Sequence, residues 1–204
     1  MTDRGGSDDI RALIFDMGGV LVELGEPDIV FGLESGTERF LEHWIQSPSV
    51  RDFERGDIDI ESFARRVVRD AALPYGWQEF IQRFMSWPRS AFTGAAKLLE
   101  SLPGNCQRVL LSNTNREHWH DVGLAAQLTP YLDRVFLSFE SGHLKPDPIA
   151  FHHVFESIDC APEESAFFDD NSINVEAAKA LGCHAFRTRG VDELQAAIEG
   201  LLSG

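Results

Sequence analysis

Predicted strands and helices alternate along the second half of the sequence. Short runs rich in β-branched or aromatic residues, which are typical of buried strands, lie at residues 12–15, 109–111, 135–139, 166–168 and 184–186. Helical patterns lie between or after the later runs, at residues 94–102, 117–128, 148–158, 173–181 and 192–202. Alternation of this kind predicts an α/β fold in which a Rossmann-like parallel sheet is flanked by helices on both faces.

The segment between residues 24 and 91 interrupts this alternation. It has no convincing strand, and it carries helical patterns at residues 37–45, 60–71 and 77–85. It is divided into short pieces by Pro27, Pro48, Pro74 and Pro88. We therefore predict a small all-helical cap at residues 24–91, inserted after the first strand of a core formed by residues 1–23 and 92–204. An insertion at that point would lie over the carboxyl edge of the sheet as a lid.

An excess of acidic residues restricts the partners of the chain. The 204 residues include 33 Asp and Glu against 18 Lys and Arg, which gives a formal net charge of -15. A surface this acidic repels nucleic-acid backbones and anionic lipids, so neither nucleic acid nor a membrane is expected as a partner. It also repels phosphorylated small molecules, so a site that binds one needs local positive charge, such as a metal ion and a lysine.

The three cysteines, Cys106, Cys160 and Cys183, are odd in number and widely spaced. This pattern predicts reduced thiols and a cytoplasmic protein. The first residues are polar, and the apolar stretch that follows is interrupted by Asp16, so no secretion or membrane signal is visible. The oligomeric state stays open.

Polar side chains follow the predicted strands at the ends where open parallel sheets bind ligands. Asp16 follows the first strand, Ser112 follows the second, and Lys145 lies in the loop after the third. Asp169 and Asp170 follow the fourth strand. Carboxylates that supply only oxygen ligands favour Mg²⁺, which keeps part of its water shell and shares phosphate oxygens with a substrate.

These groups are sufficient for phosphoryl transfer. A carboxylate can attack phosphorus and form an acyl phosphate, which water then hydrolyses. The transfer needs positioning and neutralisation of charge, which Mg²⁺, the Lys145 ammonium and the Ser112 hydroxyl can supply. Gly18 and Gly19 allow the backbone after Asp16 to turn tightly and approach a ligand.

The same residues resemble the four motifs of the haloacid dehalogenase (HAD) superfamily, in the same order. They are Phe15-Asp16-Met17-Gly18-Gly19-Val20, Leu111-Ser112-Asn113, Lys145-Pro146 and Phe168-Asp169-Asp170. Residues 112–116 and 168–171 are also similar to a bacterial branch that includes an α-glucose-1-phosphate phosphatase. Residues 53–58 resemble the helical (C1-type) cap of that branch.

The resemblance implies a role for each of these residues. Asp16 would be the nucleophile, Ser112 would hold the transferring phosphoryl group, and Lys145 would neutralise Asp16 and the phosphate. Asp16 and the backbone carbonyl of Gly18 would bind Mg²⁺, and Asp169 and Asp170 would hold it directly or through water. Further contacts with the phosphate are expected from Gly19, Asn113 and Asn115. The implied activity is that of a Mg²⁺-dependent phosphomonoesterase that forms an aspartyl phosphate and acts on a small phosphorylated metabolite, with a sugar phosphate preferred.

Gly18 departs from the family pattern. Most HAD phosphatases carry a second aspartate at this position, which protonates the leaving group and then activates water. General acid–base help is worth about 10²- to 10⁴-fold in rate, so either the activity is modest or another group substitutes. The candidates for that group are His118, Asn115 and His43. Asn174 falls where many relatives carry a further acid.

Two alternatives stay open. A 2-haloacid dehalogenase also uses an aspartate nucleophile, but it attacks carbon without Mg²⁺, and the adjacent Asp169 and Asp170 would repel its carboxylate substrate. A non-catalytic regulator on the same fold is the second alternative, because a fold does not fix a function and Gly18 leaves that possibility open.

Overall fold

The computed structural model describes residues 10–33, 44 and 47–203. The described part of the chain contains seven strands: β1 (Ala12–Phe15), β2 (Val22–Leu24), β3 (Pro88–Ala91), β4 (Gln107–Ser112), β5 (Arg134–Leu137), β6 (Ser165–Asp169) and β7 (His184–Arg187). Five of them form one parallel sheet in the order β5–β4–β1–β6–β7. Their carboxyl ends therefore share one edge. The predicted α/β fold with a parallel sheet is confirmed.

The two faces of the sheet are covered by separate apolar clusters. Leu13 and Phe15 of β1 pack with Phe168 in one cluster. Ile14 packs with Phe167 in the other. Side chains alternate between faces along a strand, and a strand that is covered on both sides is apolar throughout. This explains why β1 and β6, which are buried along their whole length, lack an alternating polar pattern.

The insertion folds around a cluster of its own. Its helices are α1 (Pro27–Phe31), α2 (Pro48–Glu54), α3 (Ile60–Asp70) and α4 (Trp77–Met85). They enclose an aromatic core in which the rings of Phe53 and Phe63 stack with centroids 4.2 Å apart. The helices predicted at 60–71 and 77–85 match α3 and α4. The helix predicted at 37–45 lies almost wholly outside the described residues, which include only Trp44 of that range.

The prediction that residues 24–91 contain no strand is wrong at the C-terminal end of that segment, where β3 lies. β3 pairs antiparallel with β2, and Val22 lies opposite Ala91. The sequence Pro-Arg-Ser-Ala of β3 has no alternation of its own, so pairing with β2 defines it. Pro88 at its first position is compatible with a strand edge.

The helices of the core are α5 (Ala95–Ser101), α6 (Leu124–Leu128), α7 (Ser138–Ser141), α8 (Pro148–Ile158), α9 (Ser172–Ala180) and α10 (Gly190–Leu202). The single helix predicted at 117–128 is wrong. A π-helical turn at Glu117–Asp121 is separated from α6 by Gly123, whose φ of 84° cannot continue a right-handed helix. No helix within the described ranges is long and apolar enough to cross a bilayer.

The strand predicted at 135–139 also ends early. Ser138 is the first residue of α7, and its hydroxyl accepts a hydrogen bond from the Thr114 amide (2.9 Å) and donates one to the Thr114 carbonyl (3.0 Å). These two hydrogen bonds join the chain segments that follow β4 and β5.

Candidate active site

The predicted site residues meet at the carboxyl edge of the sheet. Asp16 follows β1, Ser112 ends β4, Asp169 ends β6, and Lys145 lies in the loop between α7 and α8. These residues line a cavity of about 420 Å³ between the core and the helical insertion. Gly18, Asn113, Asn115 and Asp170 line the same cavity.

Lys145 connects two of the carboxylates. Its ammonium donates hydrogen bonds to Asp16 Oδ1 and Asp169 Oδ2, each over 2.7 Å. Burial alone would lower the pKa of Lys145, but the charges of Asp16 and Asp169 outweigh it and raise the pKa. The lysine therefore stays protonated and supplies the local positive charge that an acidic protein needs to hold an anion.

Asp16 lies in an environment that one ammonium does not neutralise. Burial raises the pKa of Asp16 to about 7, although Lys145 opposes the change, and the charges of Asp169 and Asp170 raise it further. Burial and the charge of Asp169 likewise raise the pKa of Asp170. Crowded carboxylates with raised pKa values are stabilised by a bound cation.

The carboxylates form a donor set that fits magnesium. Asp16, Asp169 and Asp170 each offer an oxygen, and these oxygens lie within 4.8 Å of one another. A set made only of oxygens suits a hard divalent cation. Both oxygens of Asp169 already accept hydrogen bonds, one from the Asn171 amide and the other from Lys145 and Asn174. Asp16 and Asp170 thus offer the less engaged oxygens.

Position 19 requires a glycine because the Asp170 carboxylate lies close to its backbone. Its φ is +76°, and a Cβ at this position would lie 2.7 Å from Asp170 Oδ2. Its amide donates to the Val22 carbonyl, and its carbonyl accepts from the Gly190 amide, each over 2.8 Å. The expected contact of Gly19 with the phosphate stays a prediction, since the structure gives its backbone these other partners.

The two predicted phosphate-binding asparagines have protein partners. The Asn113 side chain hydrogen-bonds both the amide and the carbonyl of Lys145. The Asn115 side chain accepts from the His118 amide and lies 3.2 Å from His118 Nδ1. Their direct contact with a phosphate stays a prediction.

His118 links the core to the insertion. Its Nε2 lies 2.9 Å from the Phe84 carbonyl, and its ring stacks on that of Phe84 with centroids 4.1 Å apart. Burial lowers the pKa of His118 to about 4. The ring is neutral at neutral pH and both nitrogens have partners, which counts against His118 as the missing acid. His43 lies outside the described residues.

Sequence reasoning gave no role to Glu54. This last residue of α2 also lines the cavity, from the side of the insertion. The only signal in the sequence was its place within residues 53–58, the stretch that resembles a family cap.

The chain is similar to two phosphatases. A D-ribitol-5-phosphate phosphatase from Bacteroides thetaiotaomicron is 25% identical over 191 residues, which cover 87% of this chain and 91% of the relative. A sesquiterpene phosphatase from Aspergillus oryzae is 30% identical over 177 residues, covering 84% and 86%.

A solved structure has the same fold with ligands bound. It is a HAD family enzyme from Bacteroides thetaiotaomicron in complex with magnesium and inorganic phosphate, 26% identical, with a TM-score of 0.67. The match covers 88% of this chain and 94% of that enzyme. The narrower resemblance to the α-glucose-1-phosphate phosphatase branch stays a prediction. The family model for haloacid dehalogenase-like hydrolases matches residues 10–182, and the chain belongs to that family.

Proposed function

We propose that this hydrolase is a Mg²⁺-dependent phosphomonoesterase in which Asp16 carries the phosphoryl group. The observation that supports this most directly is the ion-paired group at the sheet edge. Lys145 bridges Asp16 and Asp169, and Asp170 completes a cluster of three carboxylates. The family membership, the two phosphatase relatives and the magnesium–phosphate complex of a structural neighbour support the same function.

The residues divide the chemistry between them. An Asp16 oxygen attacks phosphorus and forms the acyl phosphate. The buried Lys145 ammonium neutralises the charge on Asp16 and on the phosphoryl oxygens, and Ser112 offers a hydroxyl donor. Asp16, Asp169, Asp170 and the Gly18 carbonyl would hold Mg²⁺, which supplies further charge neutralisation when bound.

The substrate is proposed to be a small phosphorylated metabolite. A sugar phosphate agrees with the predicted branch, and the ribitol-5-phosphate phosphatase relative supports a polar substrate of this kind. A phosphate ester of an apolar alcohol is the second candidate, because the insertion contributes apolar side chains to the cavity, including Val50, Phe53 and Trp87. The sesquiterpene phosphatase relative supports this candidate.

We further propose that residues 24–91 act as the cap that selects the substrate and excludes water during transfer, while residues 1–23 and 92–204 form the catalytic core. The three cysteines are free and buried, which supports the proposed cytoplasmic location. The net charge of -15 supports a small-molecule partner over nucleic acid.

The test is phosphate release from p-nitrophenyl phosphate, ribitol 5-phosphate, several sugar phosphates and a prenyl monophosphate, with Mg²⁺ or with EDTA. Asp16→Asn should abolish release, whereas Asp192→Asn, which changes an exposed aspartate on α10, should not. Activity that survives EDTA on a 2-haloacid would favour the dehalogenase. No turnover of any ester with Mg²⁺ present would favour the non-catalytic regulator.

A further inference from the structure

The proposed reaction needs a proton donor that position 18 does not provide. When the leaving group is an alkoxide, protonation of its oxygen as the P–O bond breaks lowers the barrier, and a proton acceptor later helps water to attack. Gly18 has no side chain. A Cβ built on Gly18 would lie 3.3 Å from Leu24 Cδ1, so Leu24 occupies the space beside it.

Glu54 lines the cavity that contains the reaction centre, on the side of the insertion. It is the last residue of α2 and lines the same cavity as Asp16 and Lys145. It is half-buried, with protein around it and part of its surface on the cavity. Among the residues that the structure describes, no hydrogen bond or ion pair occupies its carboxyl group, unlike those of Asp16 and Asp169.

The surroundings of Glu54 allow it to exchange a proton near neutral pH. Burial raises the pKa of Glu54 to about 7, the charges of Lys145 and Arg51 oppose that rise, and the charge of Asp16 adds to it. Asp16 and Lys145 face it from the core, and Arg51 lies on its own helix. A carboxyl group with a pKa near the working pH is suited to give and take a proton in one cycle.

We infer that Glu54, carried by the insertion, is the general acid and base of this enzyme and substitutes for the side chain missing at Gly18. The inference rests on the proposed phosphatase function. It gives a function to a cavity-lining glutamate whose carboxyl group has no partner in the described structure. It also makes catalysis dependent on the placement of the insertion over the core.

Glu54 gives up one proton in the first half-reaction and regains one in the second. As an Asp16 oxygen bonds to phosphorus, the bond to the leaving oxygen breaks, and that oxygen takes the proton of Glu54 and departs as an alcohol. The Glu54 carboxylate then removes a proton from water, whose oxygen attacks phosphorus. The bond between phosphorus and Asp16 breaks, and inorganic phosphate leaves. Asp16 is again a carboxylate and Glu54 is again protonated.

The test uses two substrates that differ in their need for a proton donor. p-Nitrophenolate leaves readily without a proton, whereas the alkoxide of ribitol 5-phosphate does not. We expect Glu54→Gln to lower kcat/KM for the alkyl ester by about 10²- to 10⁴-fold and to lower it much less for p-nitrophenyl phosphate. For the alkyl ester, kcat/KM of the natural chain should fall above about pH 7, and Glu54→Gln should remove that fall.

A second variant separates proton transfer from folding. The Cβ that Gly18→Asp adds would meet the exposed Leu24 side chain at 3.3 Å, a contact that a small shift of Leu24 can relieve, and position 18 lines the same cavity as Asp16. In the Glu54→Gln background, Gly18→Asp should restore part of the rate on the alkyl ester. The matched control is Glu61→Gln on α3, an exposed cap glutamate that pairs with Arg65 and should leave both substrates unaffected.

The outcomes separate this inference from the proposed function. If Glu54→Gln lowered kcat/KM equally for both esters and Gly18→Asp restored nothing, or if it lowered neither, the role of Glu54 would be overturned. The proposed phosphatase function would be unaffected by that result. A natural chain that releases no phosphate, or an Asp16→Asn variant that keeps full activity, would overturn both. Selective loss on the alkyl ester together with rescue would establish the role.

Discussion

Asn113 holds the backbone of Lys145 at two points. Its Oδ1 accepts a hydrogen bond from the Lys145 amide, and its Nδ2 donates one to the Lys145 carbonyl, each over 2.9 Å. The side chain that follows β4 thus fixes the loop that delivers the lysine to Asp16 and Asp169. The position of the Lys145 ammonium therefore depends on a residue that need not touch the substrate.

Asn113→Ala should loosen that loop. Loss of two partly buried hydrogen bonds should lower the free energy of unfolding by about 1–3 kcal/mol, and kcat should fall more than KM rises because the ammonium is misplaced. Urea denaturation and steady-state kinetics measure the two effects. A variant with the stability and kcat of the natural chain would show that these two hydrogen bonds are dispensable.

Lys145→Met should leave two buried carboxylates without their counter-charge. Removal of one partner of a buried ion pair costs about 3–5 kcal/mol, so the variant should melt at a lower temperature and lose its activity. Because a divalent cation can replace part of the missing charge, Mg²⁺ should raise the melting temperature of the variant more than that of the natural chain. If Mg²⁺ raised the melting temperatures of the variant and of the natural chain equally, that result would argue against a metal site at these carboxylates.

Gly19→Ala should weaken metal binding as well as folding. The added methyl group would lie 2.7 Å from Asp170 Oδ2 and would strain a residue whose φ is +76°. The matched control is Gly123→Ala, where φ is +84° but nothing lies within 4 Å of the new Cβ. Both variants should lose about 1 kcal/mol from backbone strain, but only Gly19→Ala should lower Mg²⁺ affinity in a calorimetric titration.

His118 should make the protein sensitive to mild acid. Burial lowers the pKa of His118 from 6.5 to about 4, so the unfolded chain binds this proton more tightly than the folded one. The neutral His118 ring therefore contributes roughly 3 kcal/mol to the free energy of unfolding. This contribution is complete above pH 6.5 and is lost as the pH falls towards 4. Denaturation of the natural chain and of His118→Gln at pH 7 and pH 4.5 measures the effect. The variant should lose less stability between the two values; parallel losses would contradict the prediction.

The parts of the fold that depend on local pattern were predictable. Apolar runs identified the strands of the parallel sheet, and because such strands end at one edge, they also brought Asp16, Ser112 and Asp169 together. Lys145 could be assigned to that edge because its loop follows one of the same strands. These predictions needed only chain order and strand direction.

The remaining features depend on contacts between distant segments. β3 is defined by pairing with β2, more than sixty residues away along the sequence, and its own residues have no strand pattern. Glu54 becomes a candidate acid only because α2 folds beside the core, so that this residue lines the same cavity as Asp16. Gly123 breaks a helix whose apolar pattern continues on both sides. No local periodicity contains this information.

The pairing of β2 with β3 has a consequence for how such proteins can be altered. Val22 lies opposite Ala91, so the chain leaves the sheet domain and returns to it at neighbouring points. A segment with adjacent ends can be exchanged for another of different length without changing the order of the parallel strands. Replacement of the residues between Val22 and Ala91 with a short turn should leave the sheet able to fold. Replacement with the corresponding segment of a relative should also transfer the substrate preference of that relative.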